Sequence, residues 1–142
     1  MNKSDQVATV VDCQQAINRF FHALDGHDFA ACAASIAADG IWHRKGNPLV
    51  GPDAVLADLS GRGPETVSMH MITNCVVTPT ADGQADARYY ALVYRCDNHV
   101  GAPGTAAPLV APVSILIYED RLVKVVNDWL VAERRSRRVF AS

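Results

Sequence analysis

Val67-Ser68-Met69-His70-Met71-Ile72-Thr73-Asn74-Cys75-Val76-Val77-Thr78 is where the chain changes period. Its residues are rich in β-branched types, and strand alternation puts His70, Ile72 and Asn74 on one face and Met69, Met71 and Thr73 on the other. The same signature returns in Ala87–Arg95, Val113–Tyr118, Leu122–Val126 and Trp129–Arg135, with turn residues between them. Five strands in succession predict an antiparallel meander. Between the second and third of them, Asp97–Ala111 is rich in Gly, Pro and Ala and too long for a tight hairpin, which predicts a functional or partner-covered loop.

Upstream of Val67 the spacing is helical. Ser4-Asp5-Gln6 reads as a helix start, and Val7, Val10, Val11, Ile17, Phe20, Phe21 and Leu24 then recur at spacings of three and four up to Gly26. Asp28 can cap a second helix, expected to run through Phe29, Cys32 and Ile36 to Asp39-Gly40, with Ile41-Trp42-His43 as a short strand after it. Arg44-Lys45-Gly46-Asn47-Pro48 is turn chemistry, and Gly51-Pro52-Asp53 opens a third helix that ends by Gly61. Helices followed by strands are the pattern of an α+β fold, in which the helices cover one face of a sheet that curls around what they leave.

At 142 residues the chain is one domain's worth, read as a single domain over 1–142. Thirteen Lys and Arg against fifteen Asp and Glu give a net charge of −2, so no global field draws it to nucleic acid or to an anionic membrane. The hydrophobic fraction of 49% is too high for a disordered segment and leaves apolar surface for a cavity or a partner. Cys13, Cys32, Cys75 and Cys96 form no CxxC pair and no zinc spacing, which suits buried thiols in a reducing, cytoplasmic setting. No apolar run follows the first residues or reaches membrane-spanning length.

The order of several short segments resembles the nuclear transport factor 2-like superfamily with its cystatin-like fold, and within it the SnoaL-like branch that includes scytalone dehydratase and the small subunits of ring-hydroxylating dioxygenases. The segments are Ala23-Leu24-Asp25-Gly26-His27-Asp28, Ala38-Asp39-Gly40-Ile41-Trp42, Val50-Gly51-Pro52-Asp53-Ala54, Met69-His70-Met71-Ile72-Thr73-Asn74, Tyr118-Glu119-Asp120 and Trp129-Leu130-Val131-Ala132-Glu133-Arg134. The resemblance implies a cone-shaped, mixed but mainly antiparallel sheet around a long N-terminal helix and two shorter ones. It further implies a deep apolar pocket at the wide end, a small apolar ligand, and a homodimer or higher homo-oligomer through the outer sheet face. It does not by itself select a reaction, because one scaffold hosts isomerases, dehydratases, cyclases and non-enzymes.

In scytalone dehydratase and its relatives the matching His-x-x-x-Asn segment aims its histidine into the cavity, oriented by an aspartate at the end of the first helix; Asp25 holds that place here. A carboxylate on one imidazole nitrogen sets the tautomer and raises basicity, leaving the other nitrogen to move a proton. The plainer reading is a satisfied core histidine and a helix-end carboxylate facing water. Trp42 is either a core tryptophan or an N–H donor to a ligand oxygen, with His43 read as a solvent histidine beside it. The family's tyrosines have no counterparts here, since Trp42-His43 and Leu24 stand at those places, and Ala87–Arg95 lacks the second cavity histidine. Tyr89, Tyr90 and Tyr94 are the substitutes, with Tyr90 and Tyr94 on one face of their strand and Tyr89 on the other; only one set can reach the pocket.

Histidines 22, 27, 43, 70 and 99 form neither His-x-His nor His-Glu-x-x-His, so no metal is expected, and neither is any other cofactor. The run Arg134-Arg135-Ser136-Arg137-Arg138 reads as a solvated strand and tail. The expected function is a cofactor-independent lyase or isomerase for a small, largely apolar, cyclic oxygenated substrate. His70 and Asp25 would be catalytic, and Trp42, Asn74 and one of Tyr89 and Tyr90 would position the substrate oxygen. The alternative is a non-catalytic ligand carrier, or an accessory subunit like the dioxygenase small subunit.

Overall fold

The computed structural model describes residues 1–142. Helix α1 (Lys3–Asp25) is capped by the Asn2 side chain, which accepts from the Asp5 N–H at 2.9 Å, and buries Cys13, Ile17, Phe20, Phe21 and Leu24. Val7 and Val11 are exposed, while Val10 of the predicted stripe packs partly buried against the core. Helix α2 (Phe29–Ala34) is capped by Asp28 as its sequence suggested, the carboxylate accepting from the Ala31 N–H at 3.1 Å.

Helix α2 is shorter than expected, because strand β1 (Ile36–Arg44) takes the alanine-rich stretch that propensity assigned to a helix. Tertiary pairing overrides propensity there: the Val131 N–H donates to the Ser35 carbonyl at 2.9 Å and Ile36 pairs in parallel with Val131. Gly40 stops no helix. It sits where the β1 register shifts, and a Cβ there would collide with the Val131 carbonyl. The expected turn at Arg44–Pro48 shrinks to Lys45 and Gly46, both at positive φ (52° and 78°), the twist a tight hairpin requires, and β2 (Asn47–Val50) pairs back on β1. Helix α3 (Gly51–Leu59) starts with Pro52 in its first turn and buries Val55 and Leu59.

The remaining strands are β3 (Val67–Ala81), β4 (Gln84–Cys96), β5 (Ser114–Val125) and β6 (Asp128–Ala141), and the sheet order is β2-β1-β6-β5-β4-β3. The predicted meander is therefore four strands rather than five. Glu119, Asp120 and Arg121, whose polarity suggested a turn, pair with β4 on one side and with β6 on the other, so one strand replaces two. All pairs are antiparallel except β1 with β6, which makes the sheet mixed. The sheet wraps α1, with Phe20, Phe21, Trp42, Tyr89 and Tyr118 packed between them. No helix is long and apolar enough to cross a membrane.

Candidate active site

Asp25 is the last residue of α1, at the negative end of the helix dipole, where a carboxylate is poorly placed unless donors surround it. Strand β3 supplies three. Ser68 Oγ donates to Asp25 Oδ1 at 2.9 Å, the His70 backbone N–H to Oδ2 at 2.8 Å, and His70 Nδ1 lies 2.6 Å from Oδ1. The ionised carboxylate only accepts, so Nδ1 is the donor of this bond, while Nε2 makes no hydrogen bond within the protein. Burial pushes the Asp25 carboxyl up, but the bonds from His70 and Ser68 outweigh it and hold the group below the ordinary value of 3.8. Arg62 Nη2 donates to Ser68 Oγ at 2.8 Å, which orients the serine hydrogen toward Asp25. The His70 ring lies 5.3 Å from that of Phe21, so its position is set by packing as well as by the carboxylate.

His70 stands on the wall of a cavity of about 700 Å³, in the range of small-ligand sites. The cavity opens where β1 and β6 separate after the pair Trp42–Arg134. Trp42, Leu116 and Tyr118 supply apolar wall, with Arg44, Lys45 and Arg138 lining the same cavity. The wall is thus less apolar than expected: five of its sixteen residues are hydrophobic, because the second half of β6 carries its arginines onto it.

The structure brings His70, Asp25 and Trp42 to one place, and it separates the others. Asn74 is exposed at a bulge between Thr73 and Val76, with φ of 52° and its Oδ1 accepting from Thr73 Oγ1 at 2.9 Å. The bulge breaks the alternation that put Asn74 on the His70 face, so Asn74 is not on the cavity wall. Tyr90 is 40% exposed on the outer face of the sheet. Tyr89 is inside but wholly buried, its hydroxyl donating to Asp120 Oδ2 at 2.9 Å beneath the stacked ring of Tyr118. Neither tyrosine lines the cavity; Tyr118 does. His43 is a rim residue paired with Glu133 at 3.0 Å.

Sequence reasoning missed a second polar cluster. Arg134, read as a solvated tail residue, is 0% exposed: its Nε and Nη2 donate to Asp120 at 2.9 and 2.8 Å, and its guanidinium carbon lies 4.2 Å from the Phe20 ring centre. Burial alone would lower its pKa, and Asp120 reverses that. Burial likewise pushes the Tyr89 and Tyr118 phenols up, so both stay neutral. The available signal was the alternation Tyr118, Asp120, Leu122, which places Asp120 on the inner face once β5 is one strand. No three His, Cys, Asp or Glu side chains are grouped to hold a metal ion.

A family model for the SnoaL-like domain matches residues 5–135. The chain belongs to this family. Among solved structures, the SnoaL-like domain is similar to Aln2 from a Streptomyces species, with 28% identity, a TM-score of 0.73, and 90% of this chain and 88% of that chain covered. It is similar to a protein from Catenulispora acidiphila in complex with S-DNPA, with 25% identity, a TM-score of 0.75, and 94% and 95% coverage. An NTF2-like protein with a cystatin-like fold from Novosphingobium aromaticivorans shares the fold at 19% identity and a TM-score of 0.71, with 92% and 82% coverage. No curated protein matches the chain in sequence. What the SnoaL-like domain holds on the wall of its ligand-sized cavity is an imidazole with one nitrogen tied to a carboxylate and the other unbonded within the protein, an arrangement suited to moving a proton.

Proposed function

We propose that this SnoaL-like domain is a cofactor-independent lyase or isomerase that acts on a small, cyclic, oxygenated substrate through the His70–Asp25 pair. The observation that carries this reading is the 2.6 Å contact of Nδ1 with Asp25 on the wall of a 700 Å³ cavity. His70 Nε2 takes a proton from the carbon beside a substrate carbonyl, and the electron pair moves into that carbonyl as an enolate. In dehydration the pair returns to expel a β-hydroxyl, which receives the proton from the imidazolium and leaves as water. In isomerisation the same proton goes back to a different carbon. Asp25 stabilises the imidazolium throughout, and the indole N–H of Trp42 is the candidate donor to the substrate oxygen.

The test is a screen of cyclic β-hydroxy ketones and cyclic enols against the native protein and His70→Gln, each checked by thermal melting. Turnover that falls by about 10²–10⁴ in a folded variant supports the role, and unchanged turnover removes it. Nitrogen-15 NMR of the His70 ring sharpens it: Nδ1–H in the native chain, shifting toward Nε2–H in Asp25→Asn, is the expected tautomer change.

A second reading has its own observation. Met69, Met71, Tyr90 and Phe140 are exposed on the outer side of the sheet, beside the exposed Leu109 and Val110 of the long 97–113 loop. Such a face suits a second copy of this chain or, for an accessory subunit, a larger partner. Analytical ultracentrifugation of the chain alone separates the two: a stable homodimer favours the enzyme reading, and a monomer that assembles only with another polypeptide favours the accessory one.

A further inference from the structure

Every residue on the wall of the His70 cavity belongs to a strand or to the β1–β2 turn. Its ionised side chains are Arg44, Lys45, Arg135, Arg137 and Arg138 against one carboxylate, Glu119. Three of these six are already neutralised: Arg44 by Asp58 at 2.6 Å, Arg135 by Glu133 at 3.2 Å, and Glu119 by Arg88 at 3.5 Å. Lys45, Arg137 and Arg138 make no ion pair. Arg137 pairs with Ile117, which pairs with Tyr90 on the outer face of the sheet, so Lys45 and Arg138 are the unpaired cations on the inner side. Lys45 stands at the tip of the β1–β2 hairpin, and Arg138, on β6, lines the same cavity and pairs with Leu116 of its wall. A chain with net charge −2 thus carries uncompensated positive charge on the wall of the cavity that holds His70.

We propose that the substrate is an organic acid whose ring packs on Trp42, Leu116 and Tyr118 while Lys45 and Arg138 hold its carboxylate at the mouth. This deepens the acid–base reading and rests on it, because the same cavity must present the ring to His70 Nε2. A carboxylate fits better than a phosphate, since no helix N-terminus lines the cavity to supply the converging N–H groups that phosphate sites use. Arg138 offers a planar fork that matches a carboxylate, and the flexible lysine adds a point charge. Anchoring the acid at the rim orients the rest of the molecule toward the imidazole. It also places positive potential beside the oxygen on which negative charge develops.

The experiment compares 2-naphthoate with neutral 2-naphthamide, using the His70 ring resonances to report occupancy and a titration to give each Kd. The acid is expected to bind about tenfold more tightly at low salt, with the gap narrowing as salt screens the rim. Lys45→Gln and Arg138→Gln should each weaken the acid by roughly threefold and leave the amide unchanged. Lys45 is an exposed turn residue, so that variant keeps the test open should Arg138→Gln unfold. Equal affinities with His70 shifted by both compounds would overturn the anion preference and leave the acid–base reading standing. Acid binding that does not move His70 would overturn it as well. If neither compound moves His70, the cavity is not the binding site, and the acid–base reading falls with this one.

Discussion

The molecule contains two aspartates held by strands, and they do opposite work. Asp120 lies in the core with Arg134 and Tyr89, all three buried, and both of its oxygens accept from fixed donors. Asp25 lies at a helix end with its side chain 20% exposed, and its partner His70, at 9%, keeps one nitrogen unused on a cavity wall. The first arrangement is closed: every strong contact faces inward, so it can only stabilise or specify the fold. The second is open on one side, and a polar network left open beside a ligand-sized space is what proton transfer needs.

The difference is broken most severely at the closed cluster. Asp120→Leu leaves the Arg134 charge buried without a counter-ion and should cost about 3–5 kcal/mol, read by urea denaturation. The double change Asp120→Leu with Arg134→Met should recover much of that loss. At the open pair the effects reverse: His70→Gln should lower turnover by about 10²–10⁴ while moving the urea midpoint little. Asp25→Asn should lower turnover by roughly 10–100-fold, since an amide still accepts from Ser68 but no longer stabilises an imidazolium.

Acid sharpens the contrast further. The Asp25 carboxyl sits below its ordinary value of 3.8, so the stability it adds is present above that value and is lost as pH falls through the lower folded one. The native chain should therefore lose stability below that value more steeply than Asp25→Asn, a difference measurable by melting temperature against pH. The smallest effect belongs to Asn74, which occupies neither network. Asn74→Gly, at φ of 52°, should change stability by less than about 1 kcal/mol in either direction and leave turnover as it was.

Much of this was legible along the chain, and the failures share a cause. The helix stripe Ile17, Phe20, Phe21, Leu24 and the alternation through His70 and Ile72 follow from local period, and both hold in the structure. The boundary errors at Ile36 and at Glu119–Arg121 arose where pairing partners lie about a hundred residues away or on both sides at once. Asn74 was misplaced because one bulge resets alternation, and a bulge leaves no mark in composition.

By itself the sequence determined the amphipathic α1, the cap of α2 and the run of strands that opens with the His70 strand, because periodicity and capping are local physics. It also carried enough ordered segments to suggest the family. Only the tertiary structure decided that Arg134 is core while Arg138 is rim, and that Tyr89 is inside while Tyr90 is outside. It set the distance of the Asp25–His70 pair that the family resemblance implied, 2.6 Å across 45 residues of chain. Charge and aromaticity say what a side chain can do, and the curvature and register of the sheet determine what it faces.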